Sequence, residues 1–152
     1  MTLRAWWLTS MVVLSGCGAP ASAVPVPRIE DAGFAPALGV DLAASTKLTN
    51  GEYVRDLTAG TGDAVDIGKT LSVTYTGWLA DGTRFDGNES GKPFVFHYGT
   101  GEVITGWDEG LSGMTVGGSR QLIIPPALGY GVRGAPPAIP SNAILIFNVS
   151  LR

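Results

Sequence analysis

Residues 101–114 read "GEVITGWDEGLSGM", and the period of this stretch decides the fold class. Ile104, Trp107, Leu111 and Met114 recur at steps of 3, 4 and 3 residues, the spacing of one helical face. Thr105 followed by Asp108 has the form of an N-terminal capping pair. Each interior glycine weakens a helix by about 1 kcal/mol relative to alanine. The helix predicted here is therefore short and held by packing, with Trp107 as a core anchor.

Around it the period changes to two. In "KTLSVTYTGWL", Leu71, Val73 and Tyr75 alternate with Ser72, Thr74 and Thr76, as in a half-buried strand. Asp81-Gly82 is a strong hairpin signal, and Arg84-Phe85-Asp86 begins the return strand. "PFVFHYG" places Phe94, Phe96 and Tyr98 on one face. "SRQLIIP" is a further strand, stopped by Pro125-Pro126, and "AILIFNVSLR" aligns Leu145, Phe147, Val149 and Leu151. With "GEYVRDLTAG" at 51–60, five or six strands accompany one helix. The expected fold is α+β, an antiparallel sheet wrapped around one short helix.

Length and charge bound the remaining possibilities. The 152 residues suffice for one domain, and a net charge of −3 without a basic stripe argues against nucleic acid. At the N-terminus Arg4 precedes an apolar run from Ala5 to Leu14, too short to span a bilayer and suited to a signal peptide. Leu14-Ser15-Gly16-Cys17 resembles the lipobox of bacterial lipoproteins, in which cleavage precedes a lipidated cysteine. Cys17 is the single cysteine of the chain and so lacks a disulfide partner within it. Residues 1–16 are thus expected to be a signal peptide with a lipobox. Residues 17–45, holding four of the ten prolines, read as a lipidated Ala/Pro-rich tether whose end, "ALGVDL", can dock on the domain. Residues 46–152 form the domain itself. The implied location is the cell envelope, on the outer membrane facing the periplasm where a second membrane exists.

Familiar chemical motifs fall away on inspection. "GYGVRG" at 129–134 matches a dinucleotide fingerprint by letter, but Ala135-Pro136-Pro137 forbids the helix such a site requires. One histidine, His97, and one lipid-committed cysteine supply no soft cluster for a metal. His97 reads as a surface or edge residue, and Asn88-Glu89-Ser90, a sequon by pattern, is expected to carry no meaning in the bacterium that a lipobox implies. What remains is aromatic excess: Tyr75, Phe85, Phe94, Phe96, Trp107, Tyr130 and Phe147 come from separate segments. An apolar pocket with one or two polar groups is the common form of a small-ligand site, and Asp86 is the acid placed to enter it.

"VTYTGWLADGTRFD", "KPFVFHYGTGEVITGWDEGL", "GGSRQLIIPPALGYG" and "IPSNAILIFNVSL" together resemble the FKBP-type peptidyl-prolyl cis-trans isomerases, from about Thr49 to the last residue. The resemblance implies a site between sheet and helix, with Trp107 as its floor. It assigns Tyr75, Phe85, Asp86, Phe94, Val103, Ile104, Tyr130, Ile139 and Phe147 to the same pocket. The Ile104 N–H would bond a substrate carbonyl and the Tyr130 hydroxyl would contact the ligand. It implies isomerisation of X-Pro bonds in exported polypeptides, macrolide inhibitors, no cofactor, no metal and a monomer. The competing expectation is a prolyl-binding clamp without turnover. Three departures stand out. The segment after Asp86 is short and lacks an arginine partner for the aspartate. Ala135 stands where many members have histidine, and Ala138 where a larger aliphatic is usual.

Overall fold

A computed structural model describes residues 25–89 and 91–152; Cys17 and the segment 1–24 lie outside the described residues. Seven strands are present among them: β1 (Thr46–Lys47), β2 (Tyr53–Thr58), β3 (Thr70–Leu79), β4 (Arg84–Gly87), β5 (Phe94–His97), β6 (Ser119–Ile124) and β7 (Leu145–Leu151). They form one antiparallel sheet in the order β1-β2-β6-β7-β3-β4. One edge of the long β3 pairs β7 along Val73–Leu79, and its other edge serves two strands, β5 along Thr70–Val73 and β4 along Thr76–Trp78. The period-two segments thus became strands, and the two-residue β1 accounts for the seventh. Strand β7 carries Leu145, Phe147, Val149 and Leu151 on its inner face, as its alternation requires.

Against that inner face lies α1 (Thr105–Gly110), shorter than the full stretch 101–114. Trp107, Leu111 and Met114 are buried with Leu122, Ile124 and Val149 in the main core. The glycines that weaken this helix also let it approach the sheet. A Cβ on Gly106 would stand 2.6 Å from the Ile124 side chain, and one on Gly110 would stand 2.9 Å from Leu122. Close approach, gained four residues apart on one face, offsets the lost propensity.

The expected capping pair does not form. Ile104 occupies the N-cap, with no side-chain cap hydrogen bond. Asp108 instead turns back to accept the N–H groups of Gly99 at 2.9 Å and Gly101 at 3.0 Å. At the other end Arg120 donates through one guanidinium nitrogen to the carbonyls of Gly110 and Ser112, at 2.9 and 2.7 Å. Its Nε donates to Asp56 at 2.6 Å. A cation at a helix C-terminus satisfies the last carbonyls and opposes the helix dipole. The helix is fastened at both ends by residues outside its hydrogen-bonded turn.

Beneath α1 lies an unexpected acid. Glu52, just before β2, is 0% exposed, and neither of its carboxylate oxygens has a hydrogen-bond partner. Burial first, and then the nearby Glu109, push its carboxyl up to about 8, against the opposing pull of Asn50 and Arg120. Below the usual carboxylate range the group is protonated both folded and unfolded. Between that range and about pH 8 the unfolded chain ionises while the folded one keeps its proton. Stability therefore falls as pH rises through this window. Glu52→Gln removes the ionisation, and we expect it to exceed the wild type in stability at pH 8 by up to about 4 kcal/mol more than at pH 4.5. Urea unfolding at the two pH values measures this, and an equal difference at both would show that Glu52 is not held neutral.

The outer face of the sheet is covered as well. The second half of the expected tether is a packed arm, turning through short 3-10 segments at Ile29–Asp31 and Pro36–Leu38. Ile29 (2% exposed) and Leu38 (8% exposed) join Tyr53, Ile123, Ile144 and Ile146 in a second core, with Phe34, Val40 and Trp78 packed on it. Polar groups fix the register. The Ala35 N–H donates to the Ala80 carbonyl at 2.8 Å, and buried Gln121 donates to the Leu38 carbonyl at 2.9 Å. Glu30 pairs with Lys47 and accepts the Tyr53 hydroxyl at 2.9 Å. Docking of "ALGVDL" agrees with Leu38, and the docked arm begins earlier, at Ile29.

Candidate active site

Between the inner face and α1 opens a cavity of about 410 Å³ lined by Tyr75, Asp86, Phe94, Glu102, Val103, Ile104, Trp107, Tyr130 and Phe147. Five aromatic rings come from five elements, so the fold alone brings them together. Trp107 is the hub. Its ring meets Tyr75 at 5.0 Å, Phe147 at 5.4 Å and Phe94 at 6.2 Å, each nearly edge-on. Edge-to-face contacts direct positive ring edges at negative faces and hold each ring in one orientation. The indole Nε1 is buried without a partner. Phe94 stacks on buried Phe96 at 5.5 Å and remains 39% exposed.

Eight of the ten positions assigned by resemblance line this cavity, and two do not. Phe85 stands behind it, edge-on to Phe147 at 5.4 Å, and supports that ring. Ile139 is buried in the main core, where its backbone bridges Ala135. Glu102 also lines the cavity; the resemblance places it at the head of the Glu102-Val103-Ile104 run before the helix without assigning it to the pocket.

One polar group sits among the rings at the end of β4. Asp86 accepts the Tyr75 hydroxyl at 2.8 Å through one oxygen and the Gly87 N–H at 2.8 Å through the other. Burial, and next the hydrogen bond to Asp86, push the Tyr75 hydroxyl up to about 12. Tyr75 therefore keeps its proton and orients the carboxylate. The Arg84 guanidinium does not bond that carboxylate; it pairs with Glu89 at 3.3 Å.

The short segment after Asp86 is closed by Asn88. Its side chain accepts the Tyr75 N–H at 2.7 Å and donates to the Val73 and Lys92 carbonyls. The amide nitrogen is thus committed to the fold. Ile104 gives its carbonyl to the Trp107 N–H at 2.9 Å. Its own N–H has no hydrogen-bond partner among the described residues and lies at the cavity. His97 is exposed, as expected, but it is engaged. Its N–H donates to Glu102 at 2.9 Å and its Nδ1 lies 2.7 Å from the other Glu102 oxygen.

A curved antiparallel sheet closing on a short helix, with an aromatic box between them, defines a receptor for a small apolar ring. Comparison with known proteins makes the class specific. Residues 62–152 match the model of the FKBP-type peptidyl-prolyl cis-trans isomerases. Peptidyl-prolyl cis-trans isomerase FKBP2 of Mus musculus is 48% identical over 122 residues, covering 75% of this chain and 87% of that protein. FK506-binding protein 4 of Rhizopus delemar is 52% identical over 106 residues. There the match covers 70% of this chain but only 28% of the longer relative. Among solved structures, AtFKBP13 superposes with a TM-score of 0.67 at 35% identity, over 70% of this chain and 95% of that one. FkpA from Escherichia coli does so at 0.65 and 38% identity, over 71% of this chain and 50% of that one. The chain belongs to the FKBP-type peptidyl-prolyl cis-trans isomerase family. The family match begins at residue 62, so the arm and the two strands that precede it lie outside the matched segment.

Proposed function

We propose that the chain isomerises X-Pro bonds in exported polypeptides while tethered to a membrane through lipidated Cys17. The observation that carries the catalytic part is the aromatic box on Trp107 with one oriented carboxylate at its wall. Family membership supports the same reading. The anchor rests on the lipobox-like Leu14 to Cys17, and a location in the cell envelope follows from it.

The chemistry required is modest. Cis and trans X-Pro forms differ by roughly 1 kcal/mol, whereas the barrier between them is about 18–20 kcal/mol. Only the barrier has to fall. At its top the C–N bond is twisted, amide resonance is lost and the carbonyl is less dipolar than in the planar form. An apolar box disfavours the planar amide more than the twisted one, and this difference lowers the barrier. Trp107, Phe94 and Phe147 grip the proline ring, the free Ile104 N–H and the Tyr130 hydroxyl hold the flanking backbone, and Asp86 sits beside the twisting bond.

The test is an X-Pro isomerisation assay on the full chain in mild detergent. We expect turnover, inhibited by a macrolide of the rapamycin type. Affinity should fall below that of members with a fuller rim, because Ala135, Ala138 and the short loop after Asp86 withdraw contacts. Peptide binding without turnover would identify a clamp. Turnover unaffected by the macrolide up to its solubility would move the reaction away from this cavity.

A further inference from the structure

The cavity mouth has a charge asymmetry that the isomerase reading leaves unused. Of its lining residues, Asp86 and Glu102 are acidic and none is lysine or arginine. Glu102 is held by an arrangement absent from its sequence period. Both oxygens are fixed by His97, through the backbone N–H at 2.9 Å and Nδ1 at 2.7 Å, yet the side chain stays 47% exposed. Those hydrogen bonds hold the Glu102 carboxyl below its ordinary range, the backbone one first, so the group is ionised at neutral pH. Arg84, the cation on the neighbouring strand β4, is occupied by Glu89 at 3.3 Å. Two residues beyond Glu102 along the chain is Ile104, whose N–H has no partner among the described residues and lies at the same cavity.

We propose that Glu102 is a specificity-determining residue, selecting proline segments that carry a lysine or arginine beside the proline. This rests on the isomerase reading and adds the substrate class. A peptide held at Ile104 N–H runs its neighbouring side chain past a carboxylate already fixed in place. A cation meeting a pre-oriented partner loses less conformational freedom than two mobile side chains would. Screening by water limits such an exposed pair, and the expected preference is about fivefold, equivalent to about 1 kcal/mol. It should appear mainly in KM, since the charge is present in the ground state and the transition state alike.

The experiment compares kcat/KM of the full chain on short peptides carrying Lys, Leu or Glu immediately before or immediately after the proline. At low ionic strength the Lys/Glu ratio should reach about five at one of the two flanks and shrink toward one in molar salt. Glu102→Gln should collapse that ratio; taking the ratio within each protein cancels any general loss of activity. If that variant fails to fold, Glu102→Ser takes its place, since any neutral side chain there removes the charge. A ratio near one at both flanks overturns the proposal, as does a ratio that survives in Glu102→Gln. Absence of turnover on the leucine peptide would instead refute the isomerase reading itself.

Discussion

Replacing Ile29 and Leu38 together by alanine is expected to lower the free energy of unfolding by about 3–5 kcal/mol. Both side chains are buried in the outer core, against Tyr53, Ile123, Ile144 and Ile146. Buried Leu or Ile truncations cost about 2–5 kcal/mol each, and an arm that can lift away relaxes part of the second cavity, so the pair sums to less than twice that. Lifting the arm would leave the Gln121 side chain without the Leu38 carbonyl and bare the Ile123, Ile144 and Ile146 face to water. Urea unfolding followed by circular dichroism measures the loss. Isomerase activity well below the new midpoint should be retained, because none of these residues lines the cavity. An unchanged midpoint would mean that the arm adds nothing to the domain.

Asp86→Leu is expected to reduce isomerisation at least tenfold, which is about 1.4 kcal/mol of barrier. The residue is exposed, at the end of β4, and the core does not depend on it. Leucine keeps the bulk and removes the charge at the cavity wall, together with the acceptor of the Tyr75 hydroxyl. Proline-peptide binding should change much less, since Trp107, Phe94 and Phe147 still form the box. Titration of a proline peptide by tryptophan fluorescence, set beside the turnover assay, separates the two. Full activity in a folded Asp86→Leu protein would deny the aspartate any catalytic part.

The sheet and helix were legible because period is a local property: Leu71, Val73 and Tyr75 alternate whatever lies beside them. Cavity residues were legible through the family resemblance, and Trp107 and Asp86 fell where it placed them. Phe85 and Ile139 show its limit. A resemblance brings residues to the same neighbourhood, and only coordinates separate the wall from what stands behind it. Asp108 was misjudged because sequence spacing proposes a cap, while the turn at Gly99–Gly101 brings two free N–H groups closer. Glu52 gave no signal at all. A glutamate after Asn50-Gly51 reads as a solvated turn residue, and its burial follows from α1 descending on it. The end of the arm was legible in the apolar residues of "ALGVDL", whereas Ile29 stands alone among polar and small residues and carries no period.

The covered outer face has a mechanical consequence. If the chain is held at its N-terminus, tension reaches the domain first through residues 29–42, gripped by Gln121, Lys47, Tyr53 and the Ala80 carbonyl. Load is then carried in shear across the back of the plate formed by β2, β6 and β7. None of the residues in that outer layer lines the cavity. Pull on the N-terminal side would strain the mounting of the aromatic cup while leaving its shape alone.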